Sequence, residues 1–271
     1  MTNTLIENKT KQKNQKPLLR EDNKGVTFLT LNRPEKHNSL NLELLKCLQQ
    51  ELQKIAESKS IRVVIIASTG TSFCAGHDLI ELKNMSKHKE LKSLFLLCSS
   101  IMESITELPQ PVIAQVQGMA TAAGCQLVAT CDLAIASDNT NFCTPGVNIG
   151  LFCSTPMVAL SRNITNKRAM EMLLTGENIN ALTALEWGLI NRVVPPDELK
   201  NQTSLLANKI AQKPYKTIKI GKKAFYNQLN MDLHKAYIYT SQIMAENMLS
   251  DDAEEGINAF TENREPSWPQ S

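Results

Sequence analysis

Residues Pro111 to Asp132 read P-V-I-A-Q-V-Q-G-M-A-T-A-A-G-C-Q-L-V-A-T-C-D. Pro111 to Val116 is a short apolar run with the length and β-branched content of a buried strand. Gly118 breaks that run. Ala120, Thr121, Ala122, Ala123 and Gly124 follow, with side chains small enough for another molecule to lie almost against the backbone, and Cys125 to Thr130 resumes with helical character. The reading is strand, tight turn, helix start. A helix start presents unpaired N–H groups and the positive end of the peptide dipoles, which stabilises an oxygen gathering negative charge. The structural alternative is that the small residues only let a helix pack closely on a strand.

Working outward, the chain alternates strand-like and helix-like pieces. Val26 to Leu31 reads as a strand, and Asn41 to Ala56 as a helix with Asn41 as N-cap. Arg62 to Ala67 is a second buried strand. The helix Leu91 to Leu108 is ended by Pro109 and Pro111, and Asp132 to Ser137 is a strand before the loop at Pro145 and Gly146. Strands separated by helices at this spacing predict an α/β core of stacked similar units. Beyond Pro156, helices are expected over 159–174, 181–188, 197–213, 215–229, 233–249 and 251–262, with one strand at 190–194. Their apolar stripes must either cover the core or build an oligomer interface.

Composition narrows the function classes. The 271 residues carry 29 Lys and Arg against 27 Asp and Glu, a formal charge of +2, which leaves no broad nucleic-acid footprint. The longest apolar runs, such as Val63 to Ala67, fall far short of the ~20 residues a membrane span needs, so a soluble chain is expected. Seven cysteines lack C-x-x-C and histidine pairing, which predicts reduced thiols in a reducing compartment and no zinc or other metal site. Residues 1–17 are basic and nearly empty of large apolar side chains, so disorder is expected. The segment has no secretory h-region and lacks the arginines of a mitochondrial presequence. The cytoplasm is the expected compartment.

A second small-residue turn, T-S-F-C-A-G-H-D-L (71–79), follows the strand 62–67. If the two strand–turn–helix units are neighbours, their turns open on one sheet edge, and backbone N–H groups from both converge on one oxygen as an oxyanion hole.

N-R-P-E-K-H-N-S-L (32–40), F-C-A-G-H-D-L (73–79), V-Q-G-M-A-T-A-A-G-C-Q-L (116–127), A-T-C-D-L-A-I-A-S (129–137), T-G-E-N-I-N-A-L-T-A-L-E-W-G-L-I-N-R-V-V (175–194) and E-G-I-N-A-F (255–260) together resemble the crotonase superfamily of enoyl-CoA hydratases and isomerases. The match runs in order from about Val26 to about Ser267. The resemblance implies an α/β fold of crotonase-like stacked ββα units over 18–195. It implies a helical C-terminal trimerisation region over 196–271, and a homo-trimer or a dimer of trimers. The ligand it implies is an acyl-CoA thioester, with coenzyme A as part of the substrate and no separate cofactor. Either a lyase or isomerase, or a non-catalytic acyl-CoA-binding regulator or scaffold in fatty-acid metabolism, would fit.

Carried over by position, the oxyanion-hole donors fall on the backbone N–H groups of His77 and Ala123, each such donor being worth ~3 kcal/mol to a transition state. The two hydratase glutamates fall on Gln126 and Gly146. Gln126 cannot take a proton at neutral pH, and Gly146 has no side chain. The standard hydration is therefore expected to be impaired, with other members' third acidic group falling near Asp78, Cys153 and Ser154. A bicarbonate standing in for the carboxylate at Gly146, as the resemblance to dihydroxynaphthoyl-CoA synthases suggests, is a further reading. His77 is read with its N–H acting and its ring facing away, against an imidazole that titrates near neutrality. Arg33, Lys36, His37, Ala75, Asp78, Leu79, Gly118, Ala122 and Pro145 match substrate-binding positions, and Arg264 could reach a neighbouring subunit's ligand. The methyl groups of Ala122 and Ala123, where the family carries glycine, predict a tighter pocket or a backbone restricted to negative φ. Asp132 is read as a structural hydrogen-bonding acid, Trp187 and Trp268 as packing residues, and His88 and His234 as structural or exposed.

Overall fold

The computed structural model describes residues 16–268. Most of the segment expected to be disordered, 1–15, lies outside them. Lys16 and Pro17 belong to the folded part, because both carbonyls accept hydrogen bonds from Asn32.

Six strands form the main sheet: β1 (Leu18–Asn23), β2 (Val26–Leu31), β3 (Val63–Ser68), β4 (Val112–Val116), β6 (Leu133–Ser137) and β9 (Arg192–Val194), in that spatial order. The β1–β2 pair is an antiparallel hairpin across Lys24-Gly25, and every later pairing is parallel. β3 is buried along its whole length because layers cover both faces of the sheet. Val64 and Ile66 point to the larger core with α1 (Leu42–Glu57) and α3 (His88–Glu107), whereas Val63, Ile65 and Ala67 point to the smaller core with Ala207. Ala207 belongs to α8 (Leu199–Ala211), so this helix, beyond the expected boundary at 195, lies against the sheet.

Three further strands, β5 (Met119–Thr121), β7 (Asn141–Cys143) and β8 (Ile179–Asn180), form a small second sheet. β1 and this second sheet are absent from the reading of the sequence. The latter's strands have two or three residues each, too few for a period to register. The helix expected at 159–174 is two helices, α5 (Pro156–Asn163) and α6 (Asn166–Thr175), because Ile164 leaves helical geometry and Thr165 takes an extended one before α6 starts. The helix after the focal turn, α4 (Ala123–Thr130), begins two residues earlier than expected. α2 (Leu79–Asn84) follows the second turn, and α7 (Ala181–Trp187) precedes β9.

α9 (Tyr215–Gln228), α10 (Leu233–Met248) and α11 (Asp251–Thr261) close the chain. α10 has no buried residue, and Leu249 and Phe260 are 89% and 87% exposed. Among the described residues no helix is long and apolar enough to cross a membrane, and no cluster of His, Cys, Asp or Glu could hold a metal ion. All seven cysteines are free thiols.

Candidate active site

The two small-residue turns are neighbours, joined backbone to backbone. Cys74 N–H donates to the Met119 carbonyl at 3.1 Å, and Thr121 N–H returns to the Cys74 carbonyl at 2.9 Å. Thr121 Oγ1 donates to the Ala75 carbonyl at 3.1 Å. No side chain fits between the turns. A Cβ on Gly118 would stand 1.9 Å from the Thr71 oxygen, and one on Gly124 2.2 Å from the Cys74 oxygen. Glycine at both positions is a condition of the close approach.

Leu40 N–H donates to the Gly76 carbonyl at 2.7 Å, and Asp78 N–H to the Leu40 carbonyl at 3.1 Å. This bridge turns the N–H of the intervening His77 away from Leu40. Ala123, the first residue of α4, lies one turn too early for a helical acceptor. Among the described residues neither N–H has a backbone acceptor. A Cβ built on Gly76 would lie 3.3 Å from Ala123 N, which sets the Ala123 donor beside the peptide that leads into His77.

Ala122 holds φ +49° and ψ −117°, a region that glycine favours. The expected restriction to negative φ is thereby corrected. The turn is imposed by the Ala122 N–H bond to the Cys143 carbonyl, 2.9 Å, and by Gly76 and Thr121 packed against it. The His77 ring is largely buried with neither ring nitrogen hydrogen-bonded, and stands edge-on to Phe95 at 5.2 Å between centroids. Burial lowers its pKa, so the imidazole is neutral at neutral pH.

The two positions to which the resemblance assigns the acid–base pair, Gln126 and Gly146, carry no charge. Gln126 is 4% exposed, and its Oε1 has no partner among the described residues. Gly146 sits in a short 3-10 turn, Pro145–Ile149. A side chain there would start 2.8 Å from the Leu151 oxygen and 3.0 Å from Cys153 Sγ. The loop curls back on itself through the Leu151 N–H bond to the Gly146 carbonyl, 2.9 Å. Two residues before Gly146, the Thr144 hydroxyl is fully buried and has no partner among the described residues. Burial pushes the Cys153 thiol up, opposed by the Gly146 N–H that faces the sulfur. Ser154 is exposed and bonds only to the Phe152 carbonyl.

The acids around the turns are engaged elsewhere. Asp78 caps α2 by accepting from Ile80 N–H and Glu81 N–H, and pairs with Arg33 at 3.0 Å. Glu81 accepts from the Leu42 N–H at the start of α1. Asp132 accepts from Val112 N–H, Lys222 and Tyr226.

Several candidate ligand contacts have local partners instead. Arg33 is spent on Asp78 and the Ser39 carbonyl. Arg264 pairs with Glu255 and Glu262 of its own chain. Lys36 and His37 are exposed on the loop after β2, where His37 Nδ1 meets Ser72 Oγ at 3.1 Å. Leu79 is exposed at the first turn of α2, and Ala75 and Pro145 are half-buried. His88 and His234 are exposed. Asn38 escaped the reading of the sequence. Buried at φ +54°, it accepts from Arg33 N–H and donates to the Thr69 and Ser72 carbonyls, fastening the loop after β2 to the second turn. Its one available signal is that asparagine tolerates the left-handed region.

The sequence profile described as enoyl-CoA hydratase/isomerase matches residues 21–271. Human enoyl-CoA hydratase domain-containing protein 3, mitochondrial, is 48% identical over 244 residues, covering 90% of this chain and 80% of that protein. The short-chain-enoyl-CoA hydratase of Clostridium acetobutylicum is 33% identical, covering 88% and 92%. The crystal structure of an enoyl-CoA hydratase from Mycobacterium smegmatis superposes with a TM-score of 0.92 at 46% identity, covering 94% of this chain and 99% of that one. With a matching profile over most of its length, relatives of this similarity and the same fold, the chain belongs to the enoyl-CoA hydratase/isomerase family, the crotonase superfamily.

Proposed function

We propose that the protein binds acyl-CoA thioesters, with the His77 and Ala123 N–H groups holding the thioester oxygen and stabilising an enolate. The observation that carries this reading is the pair of unpaired main-chain donors set side by side by the Cys74–Met119 and Thr121–Cys74 bonds. Two preorganised donors recognise a carbonyl that free CoA lacks. Calorimetry with an acyl-CoA and with CoA tests it: tighter binding of the thioester is expected, and equal affinity removes the oxyanion hole from the account.

In this reading Gln126 and Gly146 deprive the site of the base that activates water, so hydration is impaired. Lys36, His37, Ala75, Leu79, Gly118, Ala122 and Pro145 flank the ligand, while Arg33 and Asp78 act by fixing the loop that carries His77. Binding without turnover, as a regulator or scaffold, is the second reading, favoured by the neutral lining at Gln126, Gly146 and Thr144. A bicarbonate in place of the carboxylate gains no support, because Leu151 and Cys153 crowd the start of any side chain at Gly146.

The exposed apolar side chains of α9 to α11, Phe225, Leu233, Tyr237, Ile238, Leu249 and Phe260 among them, suit burial against further copies of this chain as a trimer or a pair of trimers. Sedimentation decides this, and a monomer at micromolar concentration sinks it. For the compartment, the free thiols suit the reducing cytoplasm. Because the similar vertebrate proteins carry the word mitochondrial in their names, the competing site is the mitochondrion. Fractionation of cells expressing the full chain separates the two.

A further inference from the structure

We propose that a crevice between α1 and α3, apart from the cleft at His77 and Ala123, binds a medium-chain carboxylic acid, with its alkyl chain along Leu42, Met85, Leu94 and Leu97 and its carboxylate at the Lys89 ammonium. This site does not depend on the thioester reading.

The crevice arises where α2 fails to run on into α3. α2 ends at Asn84, and Met85, Ser86 and Lys87 carry the chain to the start of α3. Met85 is extended, at φ −85° and ψ 111°. A gap opens between this connector, the first turn of α1 and α3, with a volume of about 460 Å³. Small-molecule sites have volumes of ~300–1000 Å³. Its apolar lining is Leu42, Met85, Leu94 and Leu97. Leu94 is buried, and the other three pack on the main core from its edge. One wall is fixed, because Leu42 N–H donates to Glu81 Oε2 at 2.9 Å and joins α1 to α2, while Met85 N–H donates to the Leu82 carbonyl at 3.1 Å. A preformed wall lowers the ordering that binding costs.

Helical position separates the crevice from the thioester cleft. Lys89, Glu90, Ser93, Leu94 and Leu97 form one stripe of α3. Phe95, which meets the His77 ring, lies roughly 170° round the helix from the middle of that stripe. A ligand in the crevice and a ligand at the His77 N–H therefore occupy opposite flanks of one helix.

The charge at the mouth selects an acid. Residues 83–92 hold four lysines and one glutamate. That glutamate, Glu90, stands 3.6 Å from Lys87, whereas Lys83, Lys89 and Lys92 have no ion pair among the described residues. Of those three, Lys89 lines the crevice, together with the exposed Ser93. An apolar floor with an ammonium at its rim matches a fatty acid: the chain leaves water while the carboxylate stays at the solvent edge, where its charge need not be buried. From Lys89 to Leu97 the stripe spans ~12 Å along α3, the length of an extended chain of about ten carbons.

Calorimetry of the full-length protein with decanoate, octanoate, hexanoate, acetate and decanol, each kept below its micellar concentration, tests the proposal. Expected are saturable binding of decanoate, an affinity that falls about two- to fourfold with each methylene removed, and no binding of acetate. Lys89→Glu should weaken decanoate about three- to tenfold and leave decanol unchanged. Ser93→Trp, whose ring fills the crevice, should abolish binding of both. Both substituted positions are exposed, and thermal melting of the variants excludes misfolding as the cause of a loss. A decanoate carrying a terminal diazirine should, on irradiation, label Leu42, Met85 or Leu97. Absence of saturable decanoate binding overturns the proposal, as does label confined to the His77–Phe95 flank or to α9–α11. Ser93→Trp binding as wild type does removes the crevice as the site, and decanoate affinity unmoved by Lys89→Glu removes an acid as its ligand. A Ser93→Trp variant that sediments as a smaller species than wild type would assign the crevice to a second copy of this chain instead.

Discussion

Lys222 Nζ lies 2.6 Å from Asp132 Oδ2, at a point where three parts of the chain meet. The same ammonium donates to the carbonyls of Ile105 and Gln110, and Tyr226 OH reaches the other Asp132 oxygen at 2.8 Å. Asp132 in turn accepts from Val112 N–H at the start of the focal strand. One half-buried carboxylate therefore ties α9 to β4. Burial pulls the Lys222 pKa down while the Asp132 charge opposes it.

The first prediction follows from that pair. Lys222→Ala removes the cation from half-buried Asp132 but leaves its hydrogen bonds from Val112 N–H and Tyr226 OH, a loss of about 1–3 kcal/mol. Urea unfolding measures it, and a change under 1 kcal/mol would show that solvent already reaches the carboxylate.

Ala122 yields a prediction of opposite sign. At φ +49° its methyl group is strained, so Ala122→Gly is expected to raise stability by about 1 kcal/mol after the added entropy of the unfolded chain is subtracted. A lower urea midpoint would mean that the methyl's packing beside Gly76 outweighs the strain.

Asp78 governs the acid side of the stability curve. Burial raises its carboxyl pKa, but the Arg33 hydrogen bond, the Glu81 and Ile80 N–H groups and the Arg33 charge outweigh it, so the folded value is lowered. A lowered value contributes stability present above the unfolded pKa of about 3.9, and lost as pH falls through the folded value. Asp78→Asn should flatten the decline in urea midpoint below about pH 4. An identical decline in wild type and variant would assign the acid sensitivity to other carboxylates.

On the proposed reading that Gln126 and Gly146 stand in place of the two hydratase glutamates, hydration of a short 2-enoyl-CoA is expected to be at least ~1000-fold below that of a competent hydratase. Robust loss of the enoyl absorbance, unchanged in Gln126→Ala, would contradict this.

Placing glutamate at both 126 and 146 is expected to fail on space. A side chain at Gly146 begins 2.8 Å from the Leu151 carbonyl, a backbone atom that cannot swing aside. Gln126→Glu with Gly146→Glu should therefore melt several degrees lower and gain no hydration, whereas Gln126→Glu alone should fold. A double variant that melts like wild type would show that the 146–153 loop opens readily.

The focal stretch is legible because its signals are strong and local: an apolar run of strand length, then residues too small to be anything but a turn or a close contact. The parallel order of β2, β3 and β4 follows from the helices between them. The second sheet is illegible for the opposite reason, since Ile179–Asn180 pairs through contacts with Asn141 and Phe142 that lie far away in the chain. Cys153 stands by Gly146 only because the 3-10 turn and the Leu151–Gly146 bond reverse the chain, which no periodicity announces. Arg33 and Arg264 look like ligand-binding cations in sequence and are ion-paired in the fold, because charge alone does not say which carboxylate stands within reach.

The contact of Gly124 with the Cys74 carbonyl and of Gly118 with Thr71 has a consequence for how such a chain can change its chemistry. If the proposed oxygen cradle is assembled from peptide groups and two missing side chains, substitutions at 126, 144 or 153 would alter what happens to the ligand without disturbing how its carbonyl is gripped. On that reading, mutational drift at those positions would be uncoupled from loss of the ligand. A lineage could abandon one reaction before acquiring another and still remain, throughout the interval, a thioester-binding protein.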